Sequence, residues 1–326
     1  MTFTSKEHTL SVKIKKPLRK KFGVCYMCML LLVLFFKNSD ATVIWVCRGL
    51  ELCAKKLIPS LFPFMAVSSL MVLTGAGARL FKIFERPVCS LFGVGKACCT
   101  PILLGWLCGF PIGAKCASEI LSESDISLEE YKRILCISST PSPAFLIGAV
   151  GRGMLDNTTV GVFLYVISLL SCIIIGIFIN IIGGRVKETS ISKSERQPDS
   201  FAVCLTRSVT ESSVSMLYIC GFVVFFSAFL GAMEGALSFI GISQTYGAMM
   251  FSFFEITSGL SRLCEFTNPP FALMAMAVGW SGLSVHFQTA AMCSSEKRGF
   301  GAYLLSHTAR TVLCGVLGFI FQVFYK

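Results

Sequence analysis

The stretch Gly109-Phe110-Pro111-Ile112-Gly113-Ala114-Lys115 interrupts an apolar run with two glycines and a proline, and ends it on a cation. Lipid offers no partner to backbone N–H and C=O groups freed by such a break. A broken helix at membrane depth therefore belongs inside protein or along a cavity. In secondary transporters, breaks of this kind mark the solute site. The helix that restarts beyond a break exposes unpaired N–H groups and a partial positive charge, which suits a carboxylate or another anion. Lys115, Arg152 and Arg262 are fixed cations near such breaks. An ionisable residue inside a membrane segment is costly, so each is a functional candidate by default.

A second interrupted run, residues 246–264, carries Glu255, Thr257, Ser258, Gly259 and Arg262. Glu255 stands in otherwise apolar sequence and reads as a ligand for solute or coupling ion, with an ion pair to Arg262 as the structural alternative. Lys115 has an alternative too, because Glu119 lies one helical turn further on. Two more runs hold breaks: Pro141-Ser142-Pro143 within 134–155, and Asn268-Pro269-Pro270 through Trp280-Ser281-Gly282 within 268–292. His286 and Gln288 either face a cavity or cap the broken helix, and Arg152 reads as an interfacial snorkelling residue. The candidate substrate site is therefore Gly109, Phe110, Pro111, Gly113, Lys115, Ser142, Glu255, Thr257, Gly259, Asn268, Ser281 and Gln288. The pattern asks for no metal or other cofactor beyond a coupling ion, H+ or Na+.

Composition limits the function classes. Of 326 residues, 54% are hydrophobic and 14% charged, against roughly 25% charged in soluble domains. The apolar residues form long continuous runs, which argues for a polytopic α-helical membrane protein over a β-barrel. The net charge of +11 reads as topology, not nucleic-acid binding. Lys13, Lys15, Lys16, Arg19, Lys20 and Lys21 precede the first apolar run, and more cations fill 185–207, as cytoplasmic segments require. Sixteen cysteines lie mostly inside apolar segments and behave as small hydrophobes. His8, His286 and His307 are too scattered to form a ligand set. Intramembrane proteolysis would need a Ser/His pair, an Asp pair or H-E-x-x-H at depth, so the chain reads as a non-enzyme.

The elements that position these residues follow from the apolar runs. Residues 1–56 hold the basic N-terminus, a short uncleaved span at 22–36, and an amphipathic interfacial helix at 41–56. Residues 57–184 form a first membrane repeat: a span from Leu57, a re-entrant hairpin at 97–121, a connection with a Ser127/Glu130 capping box, a broken crossing at 134–155, and a span at 158–182. A soluble cytoplasmic loop occupies 185–207. Residues 208–326 repeat the plan with a span, a hairpin, a broken crossing and a last span from Gly301. With the N-terminus in the cytoplasm, the halves come out oppositely oriented, and Glu296, Lys297 and Arg298 fall inside. Lys55 and Lys56 fall outside, against that rule. The fold class is thus an all-α membrane bundle of two inverted repeats with a polar pocket near the bilayer midplane.

Pro59-Ser-Leu-Phe-Pro-Phe64, Gly109-Phe-Pro-Ile-Gly-Ala-Lys115, Pro143-Ala-Phe-Leu-Ile-Gly-Ala-Val-Gly151 and Gly282-Leu-Ser-Val-His-Phe-Gln288 resemble the sporulation integral membrane proteins of the YlbJ type. These belong to the nucleoside-recognition, or Gate-domain, group. The resemblance runs from about Ala41 to the C-terminus. Departures are small: Cys108 and Phe110 replace a serine and a tyrosine, Ser142 a glycine, and Ser258 an asparagine. The resemblance implies a role in endospore formation in the bacterial cell membrane or outer forespore membrane, and transport of the dicarboxylate dipicolinate. Its Gate-group kinship makes nucleosides the alternative solute. A non-transporting sporulation scaffold is a further alternative, and homo-oligomerisation stays open.

Overall fold

A computed structural model describes residues 18–122, 126–186, 200–237, 243–293 and 298–324. Lys13, Lys15 and Lys16, most of the loop expected at 185–207, and Glu296 and Lys297 lie outside the described residues. The described chain is helical: α1 Leu18–Lys37, α2 Ser39–Leu52, α3 Ile58–Leu73, α4 Ala76–Leu80, α5 Glu85–Phe92, α6 Cys99–Cys108, α7 Ile112–Ser122 and α8 Leu128–Ser138. A wide-turn π segment, Ala144–Arg152, leads to α9 Thr158–Gly183. The rest is α10 Phe201–Leu237, α11 Gln244–Phe254, α12 Ile256–Cys264, α13 Phe271–Trp280, α14 Leu283–Met292 and α15 Phe300–Phe324.

Among the described residues, four helices are long and apolar enough to cross a membrane: Ser39–Leu73, Thr158–Gly183, Phe201–Glu234 and Phe300–Phe324. A fifth is available if Ala76–Phe92 and Lys96–Cys108, bent by 107°, count as one broken span. Side chains such as Val162, Phe178, Leu217, Val312 and Phe319 stand exposed on these helices. Large exposed apolar surface on span-length helices is what lipid contact requires. The apolar part of α1, Phe22–Lys37, is shorter than these spans.

The interfacial helix expected at 41–56 is corrected. α2 continues through a π segment at Cys53–Leu57 into α3, making one 35-residue helix. Pro59 explains the wide turn, since it lacks an N–H and crowds the carbonyl four residues earlier. The stripe Trp45, Gly49 and Cys53, at intervals of four, is a helix–helix seam. A Cβ on Gly49 would lie 2.9 Å from Ser227 Oγ on α10, and Trp45 Nε1 donates to Glu234 Oε2 at 2.9 Å. Small residues let the two long helices approach closely.

Close backbone approach also sets α6, α7 and α8. A Cβ on Gly105 would meet Ser138 O at 2.2 Å, and one on Gly113 would meet Ser138 Oγ at 2.5 Å. α8 starts with the capping box read from sequence, Ser127 and Glu130 each holding the other's backbone N–H. Arg133 then ties α8 to the ends of two other helices, donating to Phe92 O at 2.9 Å and Gly184 O at 2.6 Å. The core between these elements is packed by Phe92, Ile102, Ile134, Ile137 and Leu146, each with no solvent exposure.

Candidate functional site

Four breaks in helical structure come together at the centre. The first, between α6 and α7, has Gly109 at φ +80° and a cis Phe110–Pro111 bond. The second is the non-helical stretch between α8 and the π segment, through Thr140, Pro141 and Ser142. The third is Glu255, an extended residue between α11 and α12. The fourth is Ser281-Gly282, both at positive φ, between α13 and α14. Pro and Gly stop hydrogen bonding at each site except the third, where Glu255 ends one helix and caps the next.

Phe110, Ser142, Glu255, Thr257 and Gln288 line one small cavity, closed on its other side by Ile219 and Val223 of α10. Its volume is about 40 Å³, enough for a water or two but not for an organic solute. Glu255 is 1% exposed. Its carboxylate accepts from the N–H groups of Thr257 at 2.9 Å and Ser258 at 2.6 Å. The protein's own acid therefore occupies the α12 N-terminus that sequence reasoning offered to a solute anion. Ser142 caps the π segment, its Oγ accepting from Phe145 N at 3.1 Å. Gln288 is buried at the cavity wall.

The remaining candidates lie around this cavity. Gly109 and Gly113 are close-packing positions; a Cβ on Gly109 would lie 2.7 Å from Ser142 N. Gly259 plays the same part between α11 and α12, where a Cβ would lie 2.2 Å from the Cα of Ser252. Pro111 and Lys115 line a second small cavity toward one end of α10. Ser281 is buried and donates back to Val278 O at 3.0 Å. Asn268 is exposed in the bend before α13 and does not reach the cavity. Arg152 is exposed at the end of the π segment.

The alternatives left open for the charged residues resolve onto α10. Lys115 Nζ lies 2.9 Å from Glu211 and 3.9 Å from Glu119. Arg262 pairs with Glu234 at 2.6 Å, not with Glu255. Glu211 and Glu234 are separated by about 35 Å of helix at 1.5 Å per residue, with the cavity residues Ile219 and Val223 between them. Each basic partner follows a helix break, Lys115 in α7 and Arg262 in α12.

Sequence reasoning missed the side chains that support two of the breaks. Arg310, fully buried on α15, donates to Ser139 O at the second break and to Ser168 Oγ at 3.2 Å. His307, also fully buried, contacts Gly279 O at 3.3 Å beside the fourth break. Tyr303 meets His286 at 3.0 Å and Thr289 at 3.3 Å on α14. The histidines read as scattered are neighbours: the rings of His286 and His307 lie 5.0 Å apart. The signal was present in the last apolar run, where Tyr303, His307 and Arg310 fall on one helical face. Among the described residues, no three His, Cys, Asp or Glu side chains are placed to hold a metal ion.

The sporulation integral membrane protein YlbJ of Bacillus subtilis (strain 168) is 26% identical to this chain over 309 aligned residues, covering 82% of the chain and 74% of that protein. The similarity spans most of both chains. No family model and no solved structure matches the chain. A YlbJ-type relative and several span-length apolar helices make this a multi-pass membrane protein.

Proposed function

We propose that this YlbJ-type chain is a carrier that moves a small organic anion across a membrane of a sporulating cell, with dipicolinate as the solute. The observation that carries this reading is the cavity where four helix breaks meet, midway along α10 between two ion pairs. A scaffold has no need of a polar centre walled by interrupted helices, which membranes tolerate only inside protein or along a cavity. The reading treats α3 to α9 and α10 to α15 as two Gate-like repeats inserted in opposite senses, with the N-terminus cytoplasmic. Lys115–Glu211 and Arg262–Glu234 are then gates that open in alternation. The chain's part is binding and movement, without covalent chemistry, and H+ or Na+ is the coupling ion.

One feature favours nucleosides as the second reading. Among the described residues, the one ionisable side chain on the central cavity is an acid, Glu255, beside the neutral hydrogen-bonding groups of Ser142, Thr257 and Gln288. A dianion finds no cation on this wall to offset its charge, whereas a sugar hydroxyl or base N–H donates to the Glu255 oxygens. Uptake of labelled dipicolinate and labelled uridine into proteoliposomes separates the readings. Accumulation of dipicolinate alone supports the proposal, accumulation of uridine alone supports the alternative, and accumulation of neither removes both.

A further inference from the structure

On the Glu234 side of the central cavity, the seam between α2 and α10 opens into a vestibule of about 510 Å³. Its charged and aromatic lining is Trp45, Arg48, Glu234, Arg262 and Glu265, two cations and two acids around one ring. Small-molecule sites run from roughly 300 to 1,000 Å³, so this space is of ligand size where the central cavity is not. Ser258 of the vestibule and Thr257 of the cavity are consecutive, so the two spaces share the first turn of α12.

Trp45 forms the floor. It is 9% exposed, fixed by its bond to Glu234, and set against the Phe251 ring at 5.3 Å. Two guanidinium groups lie over its ring, Arg48 at 4.8 Å and Arg262 at 5.0 Å from the centroid. Arg262 also stacks on Phe251 at 3.7 Å. A guanidinium held over an aromatic ring by cation–π attraction still has N–H donors for a planar acceptor such as a carboxylate. Arg262 spends part of its fork on Glu234, while Arg48 is exposed and makes no ion pair with a described residue. The hydroxyls of Ser258 and Ser261 add neutral donors on the same wall.

We propose that this vestibule is a docking site for a small aromatic carboxylate, held by Arg48 and Arg262 across Trp45, and that the solute's carboxylate takes the place of Glu234 on Arg262. The exchange releases the Arg262–Glu234 pair and frees α12 to move from α10, so docking opens the way to Thr257. This site extends the carrier reading, yet its occupancy is measurable without transport.

The test uses the full chain in neutral detergent with dipicolinate as probe and pyridine, which lacks carboxylates, as control. Binding is followed by scintillation proximity with labelled dipicolinate. It is followed in parallel by quenching of Trp45 in a Trp106→Phe/Trp280→Phe variant, where Trp45 is the sole tryptophan. Saturable binding of dipicolinate but not pyridine is expected. Arg48→Gln should weaken it about tenfold, the loss of one charge-assisted contact. Glu234→Gln should tighten it, because a competing carboxylate has gone; a merely structural Glu234 gives weaker binding. Absence of saturable binding by the wild type, an unchanged Kd in Arg48→Gln, or weaker binding in Glu234→Gln overturns the site. If proteoliposomes accumulate dipicolinate while Arg48→Gln binds and transports as wild type does, the vestibule falls and the carrier stands. If wild type binds as expected but no vesicle accumulates solute, the carrier falls and the vestibule stands.

Discussion

Arg310→Met removes a cation from the fully buried centre of α15 while keeping much of its length. Arg310 donates to the backbone carbonyl of Ser139, at the end of α8, and to Ser168 Oγ on α9. Hydrogen bonds from a charged group contribute about 1.5–3 kcal/mol each, and an acceptor left buried and unpaired costs about 1–3 kcal/mol. Against this, methionine needs no desolvation of a charge, and a buried ion is expensive even when satisfied. Taking half of the two bonds as recovered leaves a net loss of about 1.5–3 kcal/mol. The assay is thermal unfolding of the purified protein in detergent, followed by tryptophan fluorescence, for wild type, Arg310→Met and Arg310→Lys. The methionine variant should melt well below wild type. Lysine should fall between, because it keeps the charge but cannot present a planar fork to both acceptors. A methionine variant as stable as wild type would refute the view that Arg310 braces the second break.

Three further outcomes are expected. Gly109→Ala should destabilise by about 1–3 kcal/mol for its φ of +80° alone, more with the contact to Ser142 N, and should lower solute uptake; thermal melts and vesicle uptake check it. Lys115→Glu sets a carboxylate against Glu211 and Glu119 at a mostly buried pair, so it should lower both the melting temperature and uptake, and Lys115→Glu/Glu211→Lys should restore uptake; thermal melts and vesicle uptake check it. Gly49→Leu should drive a side chain into Ser227 and part the α2–α10 seam, read as a loss of folded protein on size-exclusion chromatography.

The breaks were legible because Gly and Pro stop a helix by backbone chemistry alone, whatever surrounds them. Gly109, Pro111, Pro141 and Gly282 each mark a point where helical hydrogen bonding ends. The Ser127/Glu130 cap was legible for the same reason, being a purely local device. Partner choice was not local. Lys115 had Glu119 at hand one turn away, yet its shorter contact is to Glu211, ninety-six residues on. Helix 41–56 looked interfacial because a stripe that packs on another helix and one that lies in lipid have the same period. Only the meeting of Gly49 with Ser227 separates them. Glu255 looked like a free ligand because sequence does not show that an acid can cap the helix that follows it.

The most direct measurement is an electron cryomicroscopy map of the full chain in lipid nanodiscs with saturating dipicolinate. The account expects solute density at the meeting of the four breaks, touching Thr257 and Gln288, in a cavity grown well beyond its closed size, with at least one of the α10 ion pairs parted. Helices running unbroken through Gly109–Pro111 and Ser281–Gly282, or solute found only on the lipid-facing surface, would contradict it.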